Sequence, residues 1–505
     1  MQSTPLCEIM ERYGSDKGRV NGYGWHTYTP VYHTLFKDRR TEPLKVFELG
    51  IGSIDPNIES NMLCANGKPG ASLRGWEEYF PNALIYGGDI DTKTLFRTER
   101  IKTFYIDQLN GPIIRNVFDI IGELDIIVED GLHTFEANVC FFENTIGNLS
   151  KNGVYIIEDI LSSTLPLWVV QLKLWRQKYP ELVFSMQRIP SPVNSVDNNI
   201  LVVSRKRVLP PTVVLIGHGF IPIPPKGWGA VESLIWEEYL ELKKTYTVHI
   251  VNIQGFDAIV NAVSLHFPDI VNLHREELYK IFNHIDASVK YVTSHVPELP
   301  LSNDQAFIKG DFHSIVLCKS NYDKYVSCGR SPSNLSIRPN FITPSLYAFS
   351  ETCQIPDRSI YLASIVKRKC QYKYVSISSI DFVGPGNLNS PNHKGEWSKT
   401  RVYSDLTKYA NLVLLSKIEC HSCAVIESLV CGLGVVVSQG ASAHLDDKPW
   451  ITIIPDDKVD DIAYVENAIQ ENRKIAISCR KEIREYAISK FSVETRVKEL
   501  YDKAL

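Results

Sequence analysis

Short apolar runs alternate with segments of helical length through the first part of the chain. Five of these runs lie at residues 44–49, 83–88, 103–106, 124–128 and 153–157. Apolar runs of this length, separated by single helix-sized segments, are typical of buried parallel strands. Two later runs, at residues 182–189 and 198–204, predict two closing strands. The pattern therefore predicts an α/β domain over residues 1–206.

A second α/β alternation begins after a proline pair. The stretch RKRVLPP, at residues 205–211, joins basic residues to two prolines and predicts a linker. New apolar runs follow at residues 212–216, 269–273, 289–293, 314–318 and 335–337. The pattern restarts from Ser359 with a further series of apolar runs. Residues 207–505 are therefore predicted to form two more α/β lobes, 207–345 and 346–505.

Composition and charge restrict the classes of function. The chain has 505 residues, a formal net charge of −4 and 44% hydrophobic residues, which is ordinary for a globular protein. This charge gives no electrostatic reason to expect nucleic acid as a partner. No apolar run reaches the roughly 18 residues that a membrane span needs, and the N-terminus lacks a signal-peptide pattern. Eleven scattered cysteines are then expected to be reduced thiols. We therefore expect a cytoplasmic protein without a transmembrane segment, and a homo-oligomeric state is left open.

Acidic residues follow two neighbouring strands of the first predicted sheet. Asp130 follows one strand, with His133 close behind it, and Glu158 and Asp159 follow the next strand. Ligands of open α/β sheets bind beyond the carboxyl ends of the strands, so these side chains should converge. Three carboxylates suit a hard divalent cation such as Mg²⁺, and His133 is then a candidate general base. A single acid at a strand end usually only solvates a loop, but four such residues on two strands favour a site.

This spacing resembles that of the Mg²⁺-dependent O-methyltransferases that use S-adenosylmethionine and act on deoxysugars of macrolide antibiotics. Those enzymes have a ligand Asp, a His three residues later and a Glu-Asp pair at the end of the next strand. The resemblance implies a class I methyltransferase domain of Rossmann-like fold, with S-adenosylmethionine and Mg²⁺ as cofactors. It also implies metal ligands at Asp130, Glu158 and Asp159 and a catalytic base at His133.

Further positions match the cofactor site of that family. The first strand ends in an acid and a G-x-G turn, which lets a ligand approach the backbone closely. The second strand ends at Asp89, which is suited to accept both ribose hydroxyls, with Asp91 as the fallback. Ser72 lies at a predicted helix N-cap. The resemblance implies that the cofactor is bound by Glu48, Gly50, Gly52, Ser72, Asp89, Asp107 and Gln108.

Two polar and aromatic stretches precede the first strand. They are YGSDKGR at residues 13–19 and HTYTPVY at residues 26–32. Their composition favours a capping segment over a core strand. Similar stretches occur near the start of the sugar O-methyltransferases, which implies that they cover the cofactor and help shape the acceptor pocket. An N-terminal arm that merely packs on the domain is the alternative for any one of these residues.

Two glutamates stand out in the last third of the chain. Glu419 and Glu427 form an E-x7-E pattern beside a glycine-bounded helix, and PPKGWGAVE lies at residues 224–232. Isolated glutamates on a helix would otherwise form a solvated face. Together, these motifs resemble the retaining glycosyltransferases of family 4, which have the GT-B fold of two facing Rossmann-like domains. The resemblance implies that Glu419 is catalytic at the donor sugar and that Glu427 holds the nucleotide ribose.

The same resemblance assigns other residues of the nucleotide-sugar site. It implies that His295 contacts the donor sugar catalytically, that Gly229 belongs to the phosphate loop and that Lys369 pairs with the diphosphate. Two positions depart from the family pattern: Ala230 replaces a second glycine and Ser364 replaces an arginine. The sequence after the strand at residue 360 also leaves almost no room for the expected helix. These departures predict altered or weakened donor binding.

The two resemblances predict a bifunctional glycan-modifying enzyme. Its first domain would transfer methyl to a sugar hydroxyl, and its second would add a sugar from a nucleotide-sugar donor to a glycan acceptor. Two alternatives stay open, namely a methyltransferase fused to a non-catalytic glycan-binding scaffold and an O-methyltransferase for a small molecule.

Several other cysteines and histidines are expected to have ordinary structural roles. Cys420 and Cys423 form a lone C-x-x-C motif between the two glutamates, which favours packing over zinc binding. The histidines without a clear partner in the sequence are His218, His274 and His393.

Overall fold

The computed structural model describes residues 3–18, 25–62, 67–191 and 193–502. The chain divides into two compact units, residues 1–210 and residues 211–505. Arg19, the last residue of the predicted motif YGSDKGR, lies outside the described residues.

A seven-stranded sheet forms the centre of the first unit. Its strands are β1 (Lys45–Leu49), β2 (Leu84–Asp89), β3 (Ile101–Tyr105), β4 (Leu124–Glu129), β5 (Leu149–Ile157), β6 (Val183–Arg188) and β7 (Asn199–Ser204). They lie in the order β3-β2-β1-β4-β5-β7-β6. The first five are parallel, and β7 runs antiparallel to β5 and β6. The predicted α/β class, with a parallel sheet and a closing hairpin, is confirmed.

Among the residues of this unit that the structure describes, six α-helices accompany the sheet. They are α1 (Pro5–Tyr13), α2 (Thr29–Phe36), α3 (Ala71–Tyr79), α4 (Gly111–Ile121), α5 (Phe135–Thr145) and α6 (Leu165–Lys178). Local capping explains where several of them begin, because an N-cap side chain satisfies a free amide of the first turn. Asn110 accepts from the amide of Ile113 at the start of α4, and Thr134 accepts from the amide of Ala137 at the start of α5.

An aromatic cluster packs α2 and α3 on one face of the sheet. Trp76 is fully buried, lies 5.8 Å from the Phe80 ring and is also in ring contact with Tyr32 and Phe36. Truncation of such a side chain to alanine costs about 3 to 5 kcal/mol. This packing fixes the segment before β1, so that the residues preceding the first strand lie at a defined place on the unit.

Two parallel sheets form the second unit. The strands of the first sheet are β8 (Thr212–Ile216), β9 (Thr247–Val251), β10 (Ile270–Leu273), β11 (Val289–Thr293), β12 (His313–Val316) and β13 (Leu335–Ile337). Those of the second sheet are β14 (Ile355–Leu362), β15 (Ile380–Val383), β16 (Tyr409–Leu414), β17 (Gly434–Ser438) and β18 (Ile451–Ile454). Their orders are β13-β12-β11-β10-β8-β9 and β15-β14-β16-β17-β18. Each sheet has its own apolar core.

The helices of the second unit flank both sheets. They are α7 (Ala230–Leu242), α8 (Phe256–Ser264), α9 (Gln305–Ile308), α10 (Lys319–Ser327), α11 (Lys399–Asp405), α12 (Cys423–Val430), α13 (Ile462–Ser478), α14 (Arg480–Phe491) and α15 (Val493–Tyr501). The last helix returns to the first of the two lobes. Its residues Val493, Val497 and Tyr501 pack in the same apolar cluster as Leu234 and Ile235 of α7.

Within the described ranges, every helix is too short or too polar to cross a membrane.

Candidate functional site

The carboxyl ends of three adjacent strands meet at one edge of the first sheet. Leu49 of β1 is in register with Glu129 of β4, and Glu129 is in register with Ile157 of β5. Backbone hydrogen bonds continue this alignment past the strand ends, from the Asp130 amide to Leu49 and from the Glu158 amide to Glu129. The predicted acidic residues are therefore brought to one place.

Asp130, His133 and Asp159 form the cluster that best fits a metal ion. Each offers one ligand atom, and these atoms lie within 4.8 Å of one another. His133 Nδ1 is 4.0 Å from Asp130 Oδ1, and His133 Nε2 is 3.8 Å from Asp159 Oδ2. Among the described residues no other His, Cys, Asp or Glu group meets this criterion. Carboxylate oxygens at this spacing fit a small hard cation.

The backbone at two of these residues is unusual. His133 has a φ of 59° and Asp159 has a φ of 53°. The left-handed region costs roughly 1 to 2 kcal/mol for a residue with a side chain, and such residues concentrate at functional sites. The unfavourable backbone conformation after both strands is thus consistent with a functional role for His133 and Asp159.

Glu158, the third predicted metal ligand, is bound by protein side chains. Lys17 Nζ donates to Glu158 Oε2 at 2.5 Å, and the Tyr32 hydroxyl donates to Glu158 Oε1. Lys17 also forms an ion pair with Asp130 and lies 3.4 Å from Glu48 Oε1. The Lys17 side chain is only 2% exposed. Sequence reasoning missed Lys17, although it lies within the predicted motif YGSDKGR.

Burial and charge explain the protonation of this cluster. Burial raises the pKa of Glu158 and of Asp159 well above the usual carboxyl value. Burial alone would lower the pKa of Lys17, but the charges of Asp130, Glu158 and Glu48 outweigh it and hold that pKa well above its usual value. Three acids thus contact Lys17, with Asp159 beside them. The raised pKa values of Glu158 and Asp159 reflect burial and a lack of positive charge around these carboxylates, which a divalent cation would supply.

The stretch HTYTPVY contributes aromatic hydroxyls to the same cluster. The Tyr28 hydroxyl donates to Asp159 Oδ1 at 2.6 Å, and His26 Nδ1 lies 3.0 Å from the Tyr28 oxygen. Burial raises the pKa of Tyr28 and of Tyr32 well above the usual value, so both stay neutral donors. The N-terminal segment therefore completes the acidic site directly.

The predicted glycine turn lies beside this site. Gly50 and Gly52 have φ values of 86° and 89°. A Cβ at Gly50 would lie 1.8 Å from the Asp130 carbonyl oxygen, so this position requires glycine. Asp89 Oδ2 accepts from the amides of Ile51 and Gly52 at 2.7 and 3.2 Å. Asp89 therefore holds the turn, and its contact with a ribose stays a prediction.

The remaining predicted cofactor residues support the strand ends. Gln108 donates to Glu129 Oε1 at 2.6 Å and accepts from the amide of Leu132 at 2.7 Å. Asp107 accepts from the amide of Leu109 at 3.0 Å. Burial raises the pKa of Glu129 to about 8, and Glu129 was not singled out from the sequence.

Glu48 and Ser72 lie on the inner side of the turn. Glu48 is fully buried and accepts from Trp76 Nε1 at 2.5 Å. The expectation that Ser72 is a helix N-cap is wrong, because α3 begins at Ala71 and Gly70, with a φ of 75°, is its N-cap. Glycine is suited to this position because the left-handed backbone conformation carries no steric penalty without a Cβ.

A cavity of about 630 Å³ lies in the second unit, between its two sheets. It is lined by each residue predicted for the nucleotide-sugar site, namely Gly229, His295, Lys369, Glu419 and Glu427. Gly229 precedes α7 with a φ of 146°. The expected helix after Ser364 is absent, since only short 3₁₀ turns occupy residues 367–369 and 371–373.

Each predicted glutamate in this cavity is paired with a lysine. Glu419 accepts from Lys369, and Glu427 accepts from Lys399 at 2.5 Å and from the Tyr347 hydroxyl at 3.0 Å. Lys399 was not predicted, because it lies far from Glu427 in the sequence and belongs to no motif that indicates the contact. Arg368 lies 3.8 Å from Glu419 with its side chain 46% exposed, so it keeps donors free for a further anion.

His274 has closer partners than the sequence suggested. Its Nδ1 lies 3.0 Å from His295 Nε2, and its Nε2 lies 3.6 Å from Glu238. Burial lowers the pKa of His274 and of His295 well below the usual value, so both rings are neutral. His218 lies 3.4 Å from Glu232 and also lines the cavity. His218 and His274 thus have partners that the sequence did not indicate, and His393 Nε2 lies 3.3 Å from the Gly384 carbonyl oxygen. The expectation that these three histidines have ordinary structural roles stays a prediction.

The C-x-x-C motif shows no metal geometry. Cys420 packs with Leu317 and Cys318 in a small apolar cluster. Cys420 and Cys423 are both thiols outside any disulfide. Packing is therefore the structural role of Cys420.

Curated proteins similar to this chain are sugar O-methyltransferases of antibiotic producers. The chain is 35% identical over 161 residues to 8-demethyl-8-alpha-L-rhamnosyl tetracenomycin-C 2'-O-methyltransferase of Streptomyces olivaceus, covering 32% of this chain and 39% of that protein. It is 30% identical over 162 residues to mycinamicin VI 2''-O-methyltransferase of Micromonospora griseorubida, covering 32% of this chain and 37% of that protein. The chain thus spans about two fifths of the length of the curated relatives it matches. No protein-family model matches it.

Solved structures of two kinds are similar to this chain. The MycE methyltransferase in complex with Mg, SAH and mycinamycin VI is 24% identical, with a TM-score of 0.33, covering 41% of this chain and 56% of that one. Anabaena HepE in complex with UDP-glucose is 12% identical, with a TM-score of 0.47, covering 58% of this chain and 99% of that one. The glycosyltransferase AviGT4 of avilamycin A biosynthesis is 13% identical, with a TM-score of 0.44, covering 58% and 97%. The predicted resemblance of the first part of the chain to sugar O-methyltransferases agrees with the curated relatives.

Proposed function

We propose that the first unit is an S-adenosylmethionine-dependent O-methyltransferase that acts on a sugar hydroxyl with the help of Mg²⁺. The cluster of Asp130, His133 and Asp159 beside the Gly50 turn is the observation that carries this proposal. The glycine turn offers backbone to a nucleoside. The carboxylates of Asp130 and Asp159 offer ligands to a cation, and His133 beside them serves as the base. Relatives named as sugar O-methyltransferases support the choice of acceptor.

A residue of this chain accepts the proton that the sugar hydroxyl loses. A divalent cation bound here would lower the pKa of a sugar hydroxyl and orient it. His133 then accepts the hydroxyl proton at a ring nitrogen, as the oxygen attacks the methyl carbon and the bond from methyl to sulfur breaks. The products are the methyl ether, S-adenosylhomocysteine and a protonated His133. Asp130 and Asp159, at 4.0 and 3.8 Å, stabilise that positive charge.

The test of this proposal is methyl transfer from labelled S-adenosylmethionine to a panel of rhamnosides and other deoxysugar glycosides. The panel includes free phenols and other small hydroxyl compounds, which tests the alternative of a small-molecule acceptor. Asp130→Asn should abolish transfer while the affinity for S-adenosylhomocysteine, measured by calorimetry, stays within a few fold. Full transfer by that variant in the presence of EDTA would contradict the proposal.

We also propose that the second unit transfers a sugar from a nucleotide-sugar donor, so that the chain is bifunctional. The convergence of Lys369, Glu419 and Glu427 on one cavity supports this activity. Arg368, with unused donors, can supply the positive charge for the diphosphate that Ser364 lacks. If both units act on one glycan, their fusion raises the concentration of one product near the other site.

A non-catalytic glycan-binding scaffold is the second candidate for this unit. The two lysine–glutamate pairs favour it, because they satisfy the charges of Glu419 and Glu427 without a ligand. A panel of uridine, guanosine and thymidine diphosphate sugars separates the two, with nucleotide release measured with and without a glycan acceptor. Binding of glycans without release of nucleotide from any donor would favour the scaffold.

A further inference from the structure

A single lysine is buried among the acids of the first unit. Lys17 lies in the segment after α1 and contacts Asp130, Glu158 and Glu48, which belong to the ends of three different strands. Its side chain is 2% exposed, whereas the Asp130 side chain is 20% exposed. An ammonium group in such a place is held by charge, because burial without acidic partners is strongly unfavourable.

The carboxylates around Lys17 differ in how many of their oxygens are already paired within the protein. Both oxygens of Glu158 are taken by the protein, one by Lys17 and the other by Tyr32. Asp130 is shared, since one oxygen pairs with Lys17 and the other faces His133. Asp159 has an oxygen that faces His133 and makes no contact with Lys17. Two of the three predicted metal ligands are thus already engaged by an internal cation.

We propose that Lys17 is a positioning residue that competes with the divalent cation for Asp130 and Glu158, and so weakens and tunes metal binding. This inference rests on the proposed metal-dependent function of the first unit. A lysine and a metal ion that share carboxylates repel each other across a short distance in a buried site. The position of the N-terminal segment is therefore linked to occupancy of the metal site, because Lys17 must lose part of its contact as the metal gains its own.

A purely structural ion pair makes a different prediction from competition. Removal of a structural lysine would lower stability and leave the metal affinity unchanged or lower, since the site would lose its shape. Removal of a competing lysine lowers the stability of the metal-free protein and raises the metal affinity. The sign of the change in affinity therefore separates the two roles.

The experiment uses the full chain with Lys17→Met, which keeps the length of the side chain, and Lys17→Arg, which keeps the charge. Mn²⁺ affinity is measured by electron paramagnetic resonance of the free ion, and the melting temperature is measured with and without Mg²⁺. We expect Lys17→Met to bind Mn²⁺ at least about tenfold more tightly and to gain more stability from Mg²⁺ than the parent. Lys17→Arg should stay within about threefold, because its charge is retained.

A double variant covers the case in which Lys17→Met does not fold. Lys17→Met with Glu158→Gln removes one charge of each sign, so the buried carboxylate is no longer unpaired. It should fold and bind Mn²⁺ more tightly than the single variant Glu158→Gln, since Asp130 is then released from Lys17. Equal or weaker binding than that of Glu158→Gln alone would overturn the competition.

The outcomes also separate this inference from the proposed function. If the parent binds Mn²⁺ and a folded Lys17→Met binds it equally or more weakly, the role of Lys17 is refuted and the metal site stands. If neither protein binds Mn²⁺, the metal-dependent function itself is refuted. If only Lys17→Met binds, the competition is supported in its strongest form.

Discussion

The two sites of this chain balance charge in opposite ways. In the first unit Glu48, Asp130 and Glu158 share one lysine, Lys17, and Asp159 lies 3.2 Å from a histidine, His26. In the second unit Glu419 and Glu427 each have a lysine of their own. The acids of the first site are therefore short of positive charge, which attracts a cation. In the second site Lys369 and Lys399 must leave their glutamates before they can bind an anionic ligand.

The two sites also differ in what holds them. The acids of the first unit follow directly from adjacent strands and are fixed by strand register. The cavity of the second unit is lined by loops and helix ends from both of its lobes. Side chains on strand ends have little freedom to move, whereas a cleft between lobes can open and close. The first site is thus the better defined of the two in this structure.

Removal of divalent metal should give the largest difference between the two units. Treatment with EDTA followed by gel filtration is expected to abolish methyl transfer, because the acidic cluster then lacks its counter-charge. Restored Mg²⁺ should return the activity. Nucleotide release by the second unit should be unaffected in the same samples, and an equal loss of both activities would remove the contrast between the sites.

His133→Asn should lower the rate of methyl transfer by about 10²- to 10⁴-fold, the usual contribution of a general base. The amide keeps a polar group there but cannot take the proton. Binding of S-adenosylhomocysteine, measured by calorimetry, should not change. His284→Asn, at an exposed position of the other unit, is the matched control and should keep full activity.

Glu419→Gln should lower sugar transfer by about 10²- to 10³-fold, which is typical of the loss of one group that stabilises charge at a reacting centre. Methyl transfer should be unchanged in this variant, because Glu419 belongs to the second unit. If the variant keeps full nucleotide release, Glu419 is not a catalytic residue.

Arg368→Met should weaken binding of a nucleoside diphosphate by about tenfold, in line with the loss of one charge-assisted hydrogen bond. Arg401→Met is the matched control, since Arg401 is also exposed and stacks over Trp397. Calorimetry with uridine and guanosine diphosphates measures both variants. Equal affinities would mean that the free donors of Arg368 do not serve the diphosphate.

The sequence predicted the residues at the strand ends, but it did not predict which side chains they contact. It placed Asp130, His133 and Asp159 together, and the structure does bring them within 4.8 Å of one another. It treated Glu158 as an open ligand, whereas Lys17 and Tyr32 take both of its oxygens. The reason is that periodicity locates strands, and it carries no information about which distant side chain reaches a given carboxylate.

The second unit shows the same division. The E-x7-E spacing located Glu419 and Glu427, because both lie close together in sequence around one strand and one helix. Lys399 and the contact between His274 and His295 were not foreseen. These contacts join segments that are separated in the chain, and loop paths decide them.

The sequence by itself determined the alternation of strands and helices, the place of the acids at strand ends and the glycine turn. These features are local, since they follow from hydrophobic periodicity and from the parallel order of neighbouring strands. Only the tertiary structure decided that Lys17 comes to Asp130 and Glu158, which lie more than a hundred residues further along the chain. Which side chain pairs with a buried charge depends on the packing of the whole unit, and no single stretch of sequence determines that packing.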